Sequence, residues 1–321
     1  MTNPYVDSGA GASGTGGGTA VVLTPESAAA AGPGAPGPGK PRSLAGDAWR
    51  DLRRNPVFLV ACLVLLVIIS MAVVPQLWTH VDPHNCDLKF ARGGSRPGHP
   101  FGFDEQGCDL YAHVIYGARP SIAIGLLATG VSSLIAIILG SISAFYGGAT
   151  DAVIQRINDV FFGFPTLLGS LLVLTRLDIH NVWSVSFTLV VFGGWTTLTR
   201  VMRGSVLGSK SADYVMAARA LGASSMRVMF RHILPNAVMP VLVLATLNVG
   251  AVIGAEGSLS FLGIGLQYPT ISWGVQLSTA QQFFFEAPHL LVFPALFLSV
   301  TVLTFILIGD AVRDAFDPKL R

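Results

Sequence analysis

The sequence predicts an all-α integral membrane protein built as a bundle of six transmembrane helices. Hydrophobic residues make up 51% of the 321 residues and charged residues only 12%, with a mean hydropathy of +0.60. This composition is typical of membrane proteins and excludes an ordinary soluble domain. In addition, apolar runs of about twenty residues, the length that crosses about 30 Å of hydrocarbon, recur along the chain.

The predicted spans are Val57 to Trp78, Ser121 to Tyr146, Ile154 to Leu177, Trp183 to Met202, Ala237 to Leu262 and Leu290 to Ile308. Lys and Arg are unevenly distributed around them: 15 of the 20 lie on one side if the N-terminus is placed in the cytoplasm. Because positively charged residues favour the cytoplasmic side, both termini are predicted to be cytoplasmic.

The chain divides into four predicted regions. Residues 1–44 are rich in Gly, Ala and Pro and are predicted to be a disordered cytoplasmic tail. Residues 45–56 are predicted to form an interfacial helix. Residues 57–309 form the transmembrane domain, with an external loop at 79–120, and residues 310–321 form a cytoplasmic tail.

The segment 209–236, between the fourth and fifth spans, predicts two short amphipathic helices joined by a turn on the cytoplasmic side. Ser211 is expected to cap the first helix, and Gly222 suits the left-handed position that ends it. Ser224 is expected to cap the second helix, which Pro235 should stop. Apolar residues recur every three or four positions: Tyr214, Ala217, Ala218, Leu221, Met226, Met229, Phe230 and Ile233.

The external loop contains Cys86 and Cys108, two of only three cysteines. In an oxidising compartment this pair is expected to form a disulfide. His80, His84 and His99 lie in the same loop, so a zinc site stays open as a second interpretation.

Two acidic residues fall inside predicted spans, where charge is costly and therefore informative. Asp159 lies one turn into the third span, and Glu256 lies deep in the fifth. For Glu256 two interpretations stay open: it lines a solute path, or it fixes helix packing through hydrogen bonds.

The hairpin resembles the EAA loop of bacterial ABC importer permeases, whose pattern is Glu-Ala-Ala, three residues, Gly, nine residues, Ile, one residue, Leu-Pro. The residues in register are Ala217, Ala218, Gly222, Leu234 and Pro235. Met216 replaces the glutamate and His232 the isoleucine. These departures are similar to the variant of dipeptide, oligopeptide and nickel importers.

Three further blocks resemble the same permeases, so the resemblance runs from about residue 45 to the end. The first block matches at His99, Pro100, Gly102, Asp104, Gly107, Asp109, Tyr116, Gly117, Ala118 and Arg119, with Cys108 where the family usually has arginine. The second matches at Glu256, Ser258, Leu259, Ser260, Phe261, Leu262, Gly263, Gly265, Ser272, Trp273 and Gly274. The last is residues 309–321.

The resemblance implies the C-type permease of a peptide/nickel-family importer, with the six-helix fold of type I ABC importer permeases. It implies a location in the bacterial inner membrane and three kinds of partner: a homologous second permease in a heterodimer, two ATPase subunits, and an extracytoplasmic substrate-binding protein. No nucleic-acid partner is expected. The hairpin residues implied in ATPase coupling are Tyr214, Ala217, Ala218, Arg219, Leu221, Gly222, Met226, Met229, Phe230, Leu234 and Pro235.

The sequence contains no Gly-x4-Gly-Lys-Ser/Thr phosphate loop, so the chain is not expected to be an enzyme. No cofactor is expected on this chain, and ATP and Mg²⁺ are expected on the partner ATPase subunits. The resemblance favours di- and oligopeptides as the transported solute, with nickel or glutathione as alternatives. A secondary transporter is the alternative from another class.

Overall fold

The computed structural model describes residues 44–177 and 179–316, and its regular elements in these ranges are helices. They are α1 (Leu44–Leu52), α2 (Pro56–Val73), α3 (Leu110–Tyr146), α4 (Gly148–Phe162), α5 (Thr166–Leu177), α6 (Val182–Phe192), α7 (Trp195–Lys210), α8 (Asp213–Ala220), α9 (Ser225–Arg227), α10 (Leu234–Ala237), α11 (Met239–Phe261), α12 (Trp273–Ala280) and α13 (His289–Phe316). A π turn covers Val228–Ile233, and short 3₁₀ turns cover Pro75–Leu77, Leu88–Phe90 and Gln281–Phe283. The predicted disordered tail, except for Leu44, lies outside the described residues, as do residues 317–321.

The described residues form four continuous spans, and the number reaches the six predicted if each of two broken helix pairs counts as one span. Helices α2, α3, α11 and α13 are each long and apolar enough to cross a membrane. The pairs α4 with α5 and α6 with α7 make up to six spans if each pair counts as one, and they bend by 82° and 49°. The prediction of continuous third and fourth spans was therefore wrong. The breaks lie at Pro165, which lacks an amide hydrogen, and at Gly193 and Gly194, which favour non-helical backbone.

Small residues let the helices pack closely around α3 and α11. A side chain at Gly140 on α3 would approach the Met202 Cβ atom of α7 to 2.7 Å. A side chain at Gly250 on α11 would approach the Val302 carbonyl of α13 to 3.1 Å. The bundle core is thus formed where α3, α7, α11 and α13 approach each other backbone to backbone.

Several helix ends differ from the predicted boundaries. Helix α3 begins at Leu110 rather than Ser121, because the Asp109 carboxylate accepts a hydrogen bond from the Ala112 amide at 2.7 Å and caps it. The loop between α2 and α3 is correspondingly shorter. Helix α13 continues to Phe316, so most of the predicted C-terminal tail is helical.

Candidate functional site

The predicted hairpin is present and its turn has the expected backbone. Gly222 has φ +81°, and nothing lies within 4 Å of the position that a Cβ atom would occupy. The Ser224 hydroxyl accepts a hydrogen bond from the Arg227 amide at 3.4 Å. The predicted cap at Ser211 was wrong: α8 begins one residue later than that cap requires, and the Ser211 hydroxyl donates to the Gly208 carbonyl at the end of α7.

Pro235 does not stop the second helix as predicted, because helical backbone continues to Ala237. The π turn Val228–Ile233 precedes it, and the Leu234 amide bonds to the Met229 carbonyl five residues back. A π turn shifts the hydrogen-bond register of the backbone by one residue. Because Pro235 has no amide hydrogen to donate, this shift lets it be accommodated inside the helix.

One face of the hairpin is buried against the bundle. Val215, Val228 and Ile233 are fully buried, and Met229 is 6% exposed. They pack in one core cluster with Met202 and other residues of α3, α7 and α11. Met229 therefore cannot contact a partner in this structure, which corrects its prediction as a contact residue. Apolar spacing alone missed Val215 and Val228.

The other face carries apolar side chains that no residue in the ranges 44–177 and 179–316 covers. Leu221 at the turn is 89% exposed, Phe230 is 60% exposed and Met226 is 58% exposed. Tyr214, Met216, Ala217, Arg219 and Pro235 are also exposed, while Ala218 and Leu234 are half-buried. We call Tyr214, Met216, Ala217, Leu221, Met226 and Phe230 the hairpin surface.

The base of the hairpin is tied to the bundle by polar contacts that sequence analysis missed. The Lys210 ammonium donates to the Phe145 carbonyl at 2.9 Å, at the C-terminal end of α3. Arg203 of α7 holds both carboxylate oxygens of Asp151 on α4, at 2.7 and 2.6 Å. Movement of the hairpin base would therefore be transmitted to α3 and α4.

The two helix breaks lie side by side and form the wall of a cavity of about 310 Å³. The cavity is lined by aromatic rings of Phe161, Phe164 and Phe192 and by polar side chains that include Thr197 and Asn248. Irregular backbone at membrane depth is tolerated where it is buried in protein or lines a water-filled cavity. We call this space the break cavity. Its signals in the sequence are the Gly and Pro residues that interrupt two apolar runs.

The two acidic residues predicted inside spans lie in different environments, and neither lines the break cavity. Asp159 is exposed and pairs with Arg200 at 2.9 Å. Glu256 is completely buried, and its Oε1 accepts hydrogen bonds from the Ser260 hydroxyl at 2.9 Å and the Ser272 hydroxyl at 3.3 Å. Of the two interpretations of Glu256, these hydrogen bonds favour a role in fixing the packing of α11.

The opposite end of the bundle is covered by residues 79–109, which we call the cap. Cys86 and Cys108 are joined in a disulfide within it. The His99 ring pairs with the Asp109 carboxylate, which speaks against the zinc site that the sequence left open as a second interpretation. Among the described residues one cluster has the spacing of metal ligands, Asp104, Cys108 and His113, but the Cys108 sulfur is taken by the disulfide.

Several motif residues hold α3 against α2 and α12. The Arg119 side chain donates to the Ala72 carbonyl at 3.1 Å, at the end of α2. The Trp273 indole donates to the Val114 carbonyl at 2.9 Å. A side chain at Gly117 would approach the Gln276 amide nitrogen to 2.7 Å, so a glycine allows α12 to pack on α3.

Comparison with known proteins identifies the family. Residues 136–321 match a family described as the inner membrane component of binding-protein-dependent transport systems. Residues 43–91 match the N-terminal transmembrane domain of oligopeptide transport permease C.

Curated relatives match over most of their length. The oligopeptide transport system permease protein OppC of Bacillus subtilis (strain 168) is 37% identical over 88% of this chain and 92% of that protein. The dipeptide transport system permease protein DppC of the same organism is 36% identical over 86% of each. The glutathione transport system permease protein GsiD of Escherichia coli O157:H7 is 36% identical over 85% of this chain and 90% of that protein.

The two family matches together cover residues 43–91 and 136–321. The chain belongs to the multi-pass inner membrane components of binding-protein-dependent ABC transport systems.

Proposed function

We propose that this chain is a permease subunit of an ATP-driven importer of di- and oligopeptides. The proposal that this chain couples to an ATPase rests on the hairpin surface. This apolar face projects from the end of the bundle opposite the cap. A helical segment with an exposed apolar face fits a groove on a partner. In our proposal that partner is an ATPase subunit on the cytoplasmic side.

The proposed orientation places both termini and the hairpin in the cytoplasm and the cap outside. Arg219, Arg227 and Arg231 of the hairpin add to the Lys and Arg excess on that side. A disulfide within the cap suits an extracytoplasmic position, because disulfides persist in oxidising compartments.

Peptides are the proposed solutes because the relatives named above transport oligopeptides, dipeptides and glutathione, which all contain amide bonds. The break cavity supports this class. Its lining combines phenylalanine rings with Thr and Asn side chains, and the described residues contribute no carboxylate, imidazole or thiol to it. Nickel sites favour imidazole and other nitrogen ligands, so this cavity fits an amide-bearing solute better than a nickel ion.

In the proposed complex, ATP and Mg²⁺ are bound by two partner ATPase subunits and this chain binds no cofactor. A second, homologous permease completes the path in a heterodimer, covering the exposed side of the break cavity at Thr197 and Ala251. An extracytoplasmic binding protein delivers the peptide. Closure of the ATPases then rocks the two permeases between inward-open and outward-open states.

Uptake into proteoliposomes tests the substrate class. The complex is reconstituted with its binding protein, and labelled dipeptide, longer peptide, glutathione and Ni²⁺ are compared with and without ATP. ATP-dependent uptake of a peptide supports the proposal. Uptake of Ni²⁺ alone would refute the peptide assignment, and uptake without ATP would indicate a secondary transporter.

A further inference from the structure

A second cavity, of about 100 Å³, lies between the cap, the start of α3 and α12. Its polar lining includes Asp104 and Glu105 of the cap, His113 of α3 and Gln276 of α12. Tyr268 on its rim is 68% exposed. We call this space the cap pocket, and none of the roles assigned above uses it.

Asp104 and His113 satisfy each other at the base of the cap pocket. One Asp104 oxygen accepts from the Gln106 and Cys108 amides, at 2.9 and 2.8 Å. The other faces the Nδ1 atom of His113 at 3.1 Å. The Nε2 atom of His113 faces the Pro83 carbonyl at 2.7 Å. Both ring nitrogens of His113 thus face acceptor oxygens. Only the doubly protonated imidazolium can donate to both, and its positive charge balances the negative charge of Asp104.

Glu105 and Gln276 retain acceptor capacity after these contacts. Glu105 is half-buried and has no ion-pair partner in the described ranges. Burial raises the pKa of Glu105 and the neighbouring Asp104 charge raises it further, whereas its own backbone amide, the Thr279 hydroxyl and the His113 charge lower it. Gln276 is 7% exposed, its amide nitrogen donates to the His113 carbonyl at 2.9 Å, and its Oε1 atom has no hydrogen-bond partner.

The free acceptors of Glu105 and Gln276 fit a cation, and the other residues that line the cap pocket indicate which kind. Leu110, Ile271, Val275 and Leu290 give the cap pocket apolar walls. A hard metal ion such as Ca²⁺ takes six to eight oxygen ligands, more than the free acceptors here supply. A lysine or arginine side chain matches better, because its aliphatic stem packs on apolar walls while its charged end reaches a carboxylate.

We propose that the cap pocket receives a lysine or arginine side chain of the extracytoplasmic binding protein, with Glu105 and Gln276 as its acceptors. This inference rests on the proposed function, which places the cap outside and brings a binding protein to it. Glu105 supplies the charge and Gln276 the neutral acceptor. Loading of the permease with its binding protein would then depend on ionic strength.

The affinity of the binding protein for the reconstituted complex in nanodiscs tests this inference. Glu105→Gln keeps the side-chain shape and removes the charge, and should raise the Kd about tenfold or more and flatten its salt dependence. Glu286→Gln is the matched control, because Glu286 also lies next to the cap but is exposed and paired with Arg92 at 2.5 Å. It should change the Kd by less than about twofold.

An unchanged Kd for Glu105→Gln would overturn the inference. Loss of binding in EDTA, restored by Ca²⁺, would overturn it too, because the occupant would then be an inorganic cation. In the supporting case, replacing one basic residue of the binding protein by Glu weakens binding, and Glu105→Lys restores it. Failure of the unaltered complex to bind any binding protein would refute the proposed function itself.

Discussion

The Thr166 hydroxyl donates a hydrogen bond to the Phe192 carbonyl at 2.8 Å, joining the first residue of α5 to the last residue of α6. The bond links the two helix breaks, and it satisfies a carbonyl that the end of α6 leaves without a helical partner. At the same place, a side chain on Gly169 would collide with the Phe192 ring. The breaks therefore form one structural unit around the break cavity.

Thiol labelling tests whether the break cavity is solvated. In a Cys62→Ser background, Thr197→Cys and Ala251→Cys should react with a membrane-impermeant thiol reagent, because both positions line this cavity, which the second permease would enclose as a water-filled path. Leu303→Cys on α13 is the control: it is 53% exposed on a membrane-spanning helix and away from the cavity, and should stay unlabelled. Equal, low labelling at all three positions would contradict a solvated path.

Gly222→Val should impair coupling more than folding. Gly222 has φ +81°, and a β-branched residue there costs about 1–2 kcal/mol of local strain, which would reshape the exposed turn. We expect loss of peptide-stimulated ATP hydrolysis at near-normal expression. Gly204→Val, on α7 where nothing lies within 4 Å, is the control. Normal stimulation in Gly222→Val would refute the role of this turn.

The two faces of the hairpin should respond differently to truncation. Leu221→Ala removes a side chain that is 89% exposed, so it should change stability by less than about 0.5 kcal/mol while weakening ATPase binding. Met229→Ala removes a side chain that is 6% exposed and should cost about 2 kcal/mol or more. Thermal unfolding and ATPase co-purification separate the two effects. A destabilised Leu221→Ala variant would contradict this assignment of faces.

Glu256→Gln distinguishes the two interpretations of this buried residue. As a packing group, Glu256 uses one oxygen to accept bonds from Ser260 and Ser272, and a glutamine oxygen can do the same. Transport and thermal stability should then change little, whereas Glu256→Ala should lose about 1–3 kcal/mol by leaving polar partners unpaired. A strong transport defect in Glu256→Gln without loss of stability would instead indicate a charge in the solute path.

The fold could be predicted from sequence wherever the signal is local. Apolar run length located the membrane-spanning segments, and Gly222 marked the turn, because both depend on residues adjacent in the chain. The breaks at Pro165 and Gly193 were not predicted, because hydropathy measures the length of an apolar run and not its direction. Glycine and proline are also tolerated in continuous membrane helices.

The site was less predictable because it depends on distant packing. Both faces of the hairpin are apolar, and only its contact with α3 and α7 determines that Met229 is buried and Phe230 exposed. The role of Lys210 follows from the position of the α3 end, 65 residues earlier in the chain. Such contacts leave no periodic signal in the sequence.

The most direct test of the central claim is purification of the chain from its native membrane in detergent, followed by an ATPase assay with binding protein and peptide. The account predicts that a second permease and ATPases with phosphate-loop motifs co-purify, and that peptide with binding protein raises ATP hydrolysis. A chain that purifies alone and moves solute without nucleotide would contradict the account and make it a secondary carrier.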